Sequence, residues 1–390
     1  MKPARLFDYG IDRSTSHEHW RGASRFDSLN RSDMPAMQTA RAELERWYSR
    51  FCDSDGDLRA RFRSPKKDQS HDGAFFELFL HELLKRLGLS VKAHPTLDVG
   101  SRPDFLVSGS AGKAYVEATY LSQQSAVPPL EAKVLNAIDN LNGRVPADLG
   151  LYVRFTGTLT QAPKTKCITD RICQWLCGLP SQAVSWESSH TMDMPVDPKY
   201  GNWKLMLEAV PRSQGASVIV AWESGSKDAS ISDHLYKAVS EKASKYKNLD
   251  HPLVVAVNIP GNGAELAEES ALFGQRALRL RRSASSVEWT SEGLIRTGKA
   301  LWFDNTKRCH HYPWLSAVMM FHNLAPWTVA NVSACLYLNP YVDDRVPREL
   351  RTLGYAAAVD GDLRRFKGGR SVRDVLGLSE DWPGSFGLGD

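Results

Sequence analysis

Residues 74–121 read AFFELFLHELLKRLGLSVKAHPTLDVGSRPDFLVSGSAGKAYVEATYL, and this stretch decides the fold of the chain. Its first part has apolar residues at helical spacing and ends at Gly88, which predicts a helix over about residues 73–87. After Gly88 the period changes to two. Three short strands are therefore predicted, at SVKAHPTL, PDFLVSG and AYVEATYL, and the turn SGSAGK joins the last two as a hairpin.

Helices and strands continue to alternate on the C-terminal side of this stretch. A helix over residues 130–141 and a strand at LGLYVRFTG complete the order helix, three strands, helix, strand. This order predicts an α/β fold with a mixed sheet flanked by helices. Further on, the continuous apolar run of PLVVAVNIPG predicts a buried strand.

Three regions follow from this pattern. Residues 1–69 are a polar N-terminal segment and a helix, residues 70–160 are the core, and residues 161–390 are a C-terminal α/β region. Within the first region, residues 1–35 have few apolar anchors and are expected to be loosely packed. The C-terminal region either extends the core sheet or forms a second domain, and the sequence leaves both open.

Composition limits the class of protein. Of the 390 residues, 42% are hydrophobic and 24% are charged, which is typical of a globular protein and excludes a disordered or coiled-coil chain. The sequence has no apolar run of about 18 residues, so no membrane span is predicted. The scattered cysteines and the polar start of the chain favour a cytoplasmic location. A net charge of +4 permits a polyanionic partner without requiring one.

Three carboxylates occupy informative positions. Glu77 lies in the middle of the predicted helix, Asp104 begins a strand, and Glu117 lies on the next strand. Because a hairpin pairs these two strands, Asp104 and Glu117 are expected to lie close together. Carboxylates that converge in this way can hold Mg²⁺, which lowers the pKa of bound water and neutralises charge developing on a phosphodiester.

Glu77, Pro103-Asp104 and Glu117-Ala118-Thr119, in this order of elements, resemble the PD-(D/E)xK nuclease superfamily. The resemblance covers about residues 70–160 and implies a restriction-endonuclease-like fold. It also implies that Glu77, Asp104, Glu117 and the carbonyl of Ala118 bind Mg²⁺ or Mn²⁺. The expected activity is phosphodiester hydrolysis of nucleic acid, with DNA the usual substrate of the superfamily, by an endonuclease or an exonuclease.

The chain departs from the motif at Thr119, because the superfamily has a lysine there and threonine supplies no cation. In some members the lysine lies on a neighbouring element. Lys133, on the following helix, is the first candidate for this catalytic role. Lys113 is a poorer candidate, since it lies about 13 Å away along the same strand. The amides of Gln123 and Gln124 offer a further alternative.

Two other functions stay open. The first is a catalytically inactive nuclease-like protein that binds nucleic acid, and the second is a protein-interaction module of a bacterial defence or repair system. Arginine clusters at residues 59–67 and 276–282 suit phosphate oxygens, although they also suit an ordinary solvated surface. His81, one turn after Glu77, either faces the same cleft or packs in the core. The oligomeric state is open, with a homodimer as one option.

Overall fold

The structure of the protein is a computed structural model. It describes residues 5–13, 24–64, 68–97, 102–121, 129–141, 143–185, 190–194, 197–212, 218–224, 227–246, 249–259, 265–282, 289–298, 300–304, 309–342, 345–359 and 362–384. Two compact units are present: residues 1–122 together with 232–390, and residues 123–231.

The helices of the described part of the chain fall in both units. They are α1 (Arg25–Arg31), α2 (Pro35–Arg50), α3 (Asp57–Phe62), α4 (Asp68–Arg86), α5 (Pro129–Asp139), α6 (Thr165–Gly178), α7 (Lys227–Lys245), α8 (Glu265–Phe273) and α9 (Val372–Leu376). None of these described helices combines the length and the apolar character that a bilayer crossing requires.

A mixed sheet of eight strands forms the centre of the first unit, in the order β1-β2-β3-β8-β13-β14-β15-β16. These strands are β1 (Ser90–Ala93), β2 (Phe105–Gly109), β3 (Gly112–Tyr120), β8 (Leu253–Ile259), β13 (Leu315–His322), β14 (Ala334–Leu338), β15 (Gly354–Val359) and β16 (Asp362–Lys367). The helix and three strands predicted over residues 73–121 are confirmed, and the part of the C-terminal region from β8 onward extends the same sheet.

The strand that follows β3 in this sheet is β8, which runs parallel to it. Every residue of β8 is buried, as expected for a strand covered on both faces. The sequence analysis placed LGLYVRFTG in the core sheet, and this is wrong. That strand, β4 (Leu149–Thr156), alternates buried and exposed residues toward its end, and it belongs to a different sheet.

Aromatic residues hold α4 on one face of the central sheet. The rings of Phe76 and Phe79 meet the ring of Phe321, on β13, edge to face at 5.6 and 5.4 Å. All three side chains are fully buried. Burial of each contributes about 1.5–3 kcal/mol, so the position of α4, and of any residue it carries, is firmly set.

The N-terminal segment is better packed than its composition suggested. Leu6, Phe7, Phe26 and Leu29 are buried, and the rings of Phe7 and Phe26 pack on Phe62 at 5.6 and 6.1 Å. The expectation of loose packing is therefore wrong for residues 5–13 and 24–31. A few aromatic anchors are enough to order a polar segment when the rest of the protein supplies the surface that covers them.

The second unit has its own four-stranded sheet, in the order β5-β6-β4-β7, with β5 (His190–Met194), β6 (Lys204–Pro211) and β7 (Ile219–Ser224) beside β4. Its core contains Phe155 and Trp203, whose rings stack at 6.0 Å.

Two further sheets have two antiparallel strands each. The strands β9 (Gln275–Arg282) and β10 (Trp289–Thr297) form one of them, and β11 (Phe303–Asp304) and β12 (Cys309–His310) form the other.

Candidate metal centre

Backbone pairing in β1, β2 and β3 brings two of the predicted residues together. The backbone N–H of Asp104 donates to Glu117 Oε2 at 3.2 Å, and the backbone N–H of Ala118 donates to Asp104 Oδ2 at 2.7 Å. The ladder of β2 and β3 pairs Phe105 with Val116, which places Asp104 beside Glu117. Ala118 thus contributes its N–H to the site, while the role of its carbonyl stays a prediction.

Glu77 reaches the same place from α4. Its side chain is 4% exposed, and its Oε2 accepts a hydrogen bond from Arg61 Nη2 at 2.6 Å. The other oxygen, Oε1, is buried and has no hydrogen-bond donor among the described residues, although His94 Nε2 lies 3.1 Å away. Glu77, His94 and Asp104 each offer a ligand atom, and these three atoms lie within 4.8 Å of one another.

The charges of the cluster act on Asp104. Burial, followed by the nearby carboxylates of Glu117 and Glu77, raises the pKa of Asp104 to about 7. Lys242 opposes this effect only in part. A cation bound beside Asp104 would favour the ionised form that burial and the neighbouring carboxylates oppose.

Glu117 is held by two side chains from α7 and the residue after it. Lys242 Nζ donates to Glu117 Oε1 at 2.7 Å, and the Tyr246 hydroxyl donates to Oε2 at 2.9 Å. Both donors lie one helical turn apart and so face the same way. Since Glu117 is 4% exposed and a buried carboxylate is costly without partners, these contacts stabilise it in the interior.

Sequence reasoning missed His94 and Lys242. His94 follows β1 directly, and its backbone N–H donates to the Asp104 carbonyl at 2.8 Å, so a register for β1 and β2 would have pointed to it. Lys242 lies 125 residues after Glu117 in the sequence, far from the motif. Its one local signal is the spacing to Tyr246, which is informative only once α7 is known to cover β3.

The other candidates for the missing cation were Lys133, Lys113 and the amides of Gln123 and Gln124. Lys133 lies on α5 in the second unit with an exposed side chain, and its catalytic role stays a prediction. Lys113 is exposed on β3. Gln123 and Gln124 lie outside the described residues.

His81 does not join the cluster. Its ring packs against Phe51 at 4.9 Å and Phe105 at 6.1 Å, and burial lowers the pKa of His81 to about 4. Of the two possibilities raised by the sequence, core packing is therefore the one that the structure supports.

The arginines predicted to meet phosphate are largely engaged within the protein. Arg59 donates to the carbonyl of Arg5, and Arg63 donates to Asp8 and to the carbonyl of Leu6. Lys66 and Lys67, and the side chains of residues 276–282, lie outside the described part of the chain.

Comparison of the chain with protein-family models, with curated proteins and with solved structures gives no match.

Proposed function

We propose that the protein is a metal-dependent hydrolase of nucleic-acid phosphodiester bonds with a restriction-endonuclease-like core. The observation that carries this proposal is the convergence of Glu77, Asp104 and Glu117, with a lysine from α7 bonded to Glu117.

The order of elements supports the proposed core. The helix α4 precedes β1, β2 and β3, and α7 and β8 then complete the sequence of helix, three strands, helix, strand. The second unit, residues 123–231, enters the chain between β3 and most of α7. The helix and strand predicted within residues 130–157 therefore do not complete this sheet, and α7 and β8 take their place.

The residues present fit a divalent metal ion. Glu77 Oε1 is buried and lacks a hydrogen bond of good geometry among the described residues, and burial together with two neighbouring carboxylates raises the pKa of Asp104. Glu77 and Asp104 would hold the ion, with Glu117 beside them. When bound, Mg²⁺ or Mn²⁺ would supply a water of lowered pKa and neutralise charge on the phosphate.

The chain's own side chains have distinct tasks in this proposal. Lys242 brings a positive charge to Glu117 and so takes the role of the lysine that Thr119 replaces. Tyr246 fixes the Glu117 carboxylate through its hydroxyl, and Arg61 fixes the Glu77 carboxylate through Oε2. Preorganised groups of this kind lower the barrier because they need no rearrangement as charge develops. DNA is proposed as the substrate from the resemblance alone.

A cleavage assay with purified protein tests the proposal. Supercoiled plasmid, linear duplex, single-stranded DNA and RNA are each incubated with Mg²⁺ or Mn²⁺, with and without EDTA. We expect cleavage of DNA that EDTA abolishes. Glu117→Gln and Asp104→Asn are expected to abolish it, while Glu241→Gln, which removes an exposed carboxylate from α7, leaves it unchanged.

The same experiment separates the alternatives. Nucleic-acid binding without cleavage in any metal would favour the inactive nuclease-like binding protein. If the protein neither binds nor cleaves nucleic acid, the interaction module is favoured instead. Cleavage that survives both Glu117→Gln and Asp104→Asn would overturn the proposed site.

A further inference from the structure

We infer that His94 is a metal ligand together with Glu77 and Asp104, and that it makes this centre selective for Mn²⁺ or a similar first-row transition metal over Mg²⁺. The inference rests on the metal dependence of the proposed function and is independent of its substrate.

The three ligands come from three elements that the fold brings to one point. Backbone pairing sets His94 directly across from Asp104, with a 2.8 Å hydrogen bond from the His94 N–H to the Asp104 carbonyl. Glu77 approaches from α4, with its Oε1 at 3.1 Å from His94 Nε2. Adjacent ligands at about 2.1 Å from one ion lie about 3 Å apart, so this separation suits neighbours in a coordination shell.

The distances among all three ligand atoms also suit a single metal ion. The three ligand atoms lie within 4.8 Å of one another. Opposite ligands of an octahedral ion are about 4.2–4.4 Å apart. Small rotations of the side chains are therefore enough to bring all three atoms onto one ion.

A simple ion pair between His94 and Glu77 explains the contact less well. The pair is within ion-pair distance and raises the pKa of His94, but the approach is too poorly aligned to count as a good hydrogen bond to Glu77 Oε1. A buried carboxylate oxygen without a donor is costly. A metal ion bound by both side chains would remove that cost.

The backbone of His94 is held in an unfavourable conformation. Its φ is +46°, in the left-handed region that residues other than glycine rarely adopt, at a cost of about 1–3 kcal/mol. The Arg102 side chain donates to the His94 carbonyl at 3.1 Å, and the Phe51 ring lies edge-on to the imidazole at 6.2 Å. Strain that neighbouring groups maintain in this way is typical of residues with a functional role.

Ligand chemistry decides which metal fits. Mg²⁺ prefers oxygen ligands and keeps several waters, whereas imidazole nitrogen suits first-row transition metals, with an affinity that rises from Mn²⁺ through Co²⁺ to Ni²⁺. One imidazole and two carboxylates therefore favour a transition metal. Without His94, the centre would offer carboxylates alone, and little discrimination would be expected.

Calorimetric titration of the metal-free, full-length protein with MnCl₂ and with MgCl₂ tests the inference in the absence of nucleic acid. We expect Mn²⁺ to bind at least about tenfold more tightly than Mg²⁺. His94→Asn is the informative variant, because asparagine tolerates positive φ but is too short to replace the imidazole. It should lose at least about tenfold in Mn²⁺ affinity and change Mg²⁺ affinity by no more than about twofold.

Pulsed electron paramagnetic resonance of the Mn²⁺ complex gives a second readout. An imidazole bonded to Mn²⁺ produces a ¹⁴N coupling, which we expect in the original protein and in the control His251→Asn, and not in His94→Asn. His251 lies outside the cluster, in an ion pair with Asp250. Circular dichroism checks that each variant is folded.

Equal affinities of the original protein for the two metals, or a folded His94→Asn variant with unchanged Mn²⁺ affinity and ¹⁴N coupling, would overturn the inference. Binding of neither metal would overturn it as well. Mn²⁺ selectivity that depends on His94 in a protein that cleaves no nucleic acid would support the metal site and reject the proposed function. Cleavage of nucleic acid, together with an unaltered metal preference in His94→Asn, would support the proposed function and overturn the inference about His94.

Discussion

Lys242 Nζ donates a hydrogen bond to Glu117 Oε1 at 2.7 Å, although the two residues are 125 positions apart in the sequence. Thr119, two residues after Glu117, stands where the nuclease motif has its lysine. The positive charge that β3 lacks is thus brought to the same carboxylate by α7. Under the proposed function, this contact supplies the cation that Thr119 does not.

Replacement of Lys242 by methionine tests this contact. Under the proposed function, Lys242→Met should lower the rate of DNA cleavage at least about 100-fold, because it removes a preorganised charge and keeps the aliphatic stem. Lys245→Met is the matched control, since Lys245 is exposed on the same helix, and it should keep near-full activity. Initial rates on labelled duplex measure both. Equal rates for the two variants would exclude a catalytic role for Lys242.

A lysine at the motif position should compensate for the loss. In the Lys242→Met background, Thr119→Lys places an amine two residues after Glu117, on the same face of β3. We expect the double variant to recover about tenfold or more of the rate lost by the single variant. A double variant no faster than Lys242→Met would show that the two positions are not equivalent.

Asp104→Asn should stabilise the metal-free protein while it removes activity. Burial and two neighbouring carboxylates oppose ionisation of Asp104, and asparagine keeps an oxygen for the Ala118 N–H. We expect a gain of about 1 kcal/mol in the free energy of unfolding near pH 8, measured by urea denaturation in EDTA. Asp381→Asn, at an exposed position, should change it by less than about 0.5 kcal/mol. A loss of stability in Asp104→Asn would contradict the proposed repulsion.

The ion pairs of Glu82 are expected to stabilise the fold rather than serve the site. Its carboxylate is 2% exposed and accepts hydrogen bonds from Arg50 at 2.7 and 3.0 Å and from Arg86 at 2.8 Å. Glu82→Gln should lower the free energy of unfolding by about 2 kcal/mol. Glu380→Gln, whose carboxylate is 86% exposed, should have an effect below about 0.5 kcal/mol. Similar melting temperatures for the two variants would argue against this assignment.

His81 should make stability depend on pH. Burial lowers its pKa to about 4 in the folded protein, against 6.5 as its ordinary value. Between these values the unfolded chain binds the extra proton, so the contribution of His81 to stability falls as pH decreases from about 6.5 to 4. Relative to pH 7.5, the loss at pH 5 is expected to be about 2 kcal/mol.

His81→Phe removes the titrating group and keeps an aromatic ring between Phe51 and Phe105. The stability of this variant, measured by urea denaturation, should fall less than that of the original protein over the same pH range. If the two proteins lose equal stability between pH 7.5 and 5, other groups account for the acid sensitivity.

Much of the core was predictable from the sequence because its signals are local. The helix that carries Glu77, the hairpin of β2 and β3 and the neighbourhood of Asp104 and Glu117 all follow from periodicity and turn residues within residues 73–121. The buried run of β8 was also recognisable, since a strand covered on both faces needs a continuous apolar sequence.

The sequence by itself therefore determined α4, β1, β2 and β3 and the proximity of Asp104 to Glu117. Only the tertiary structure decided that β8 rather than β4 lies beside β3, that His94 reaches Glu77 and that Lys242 meets Glu117. Pairing between distant segments depends on which apolar faces are buried together, and many pairings suit the same local pattern. For that reason the sequence favours a lysine near Thr119, while the lysine that contacts Glu117 lies on α7, 125 residues away.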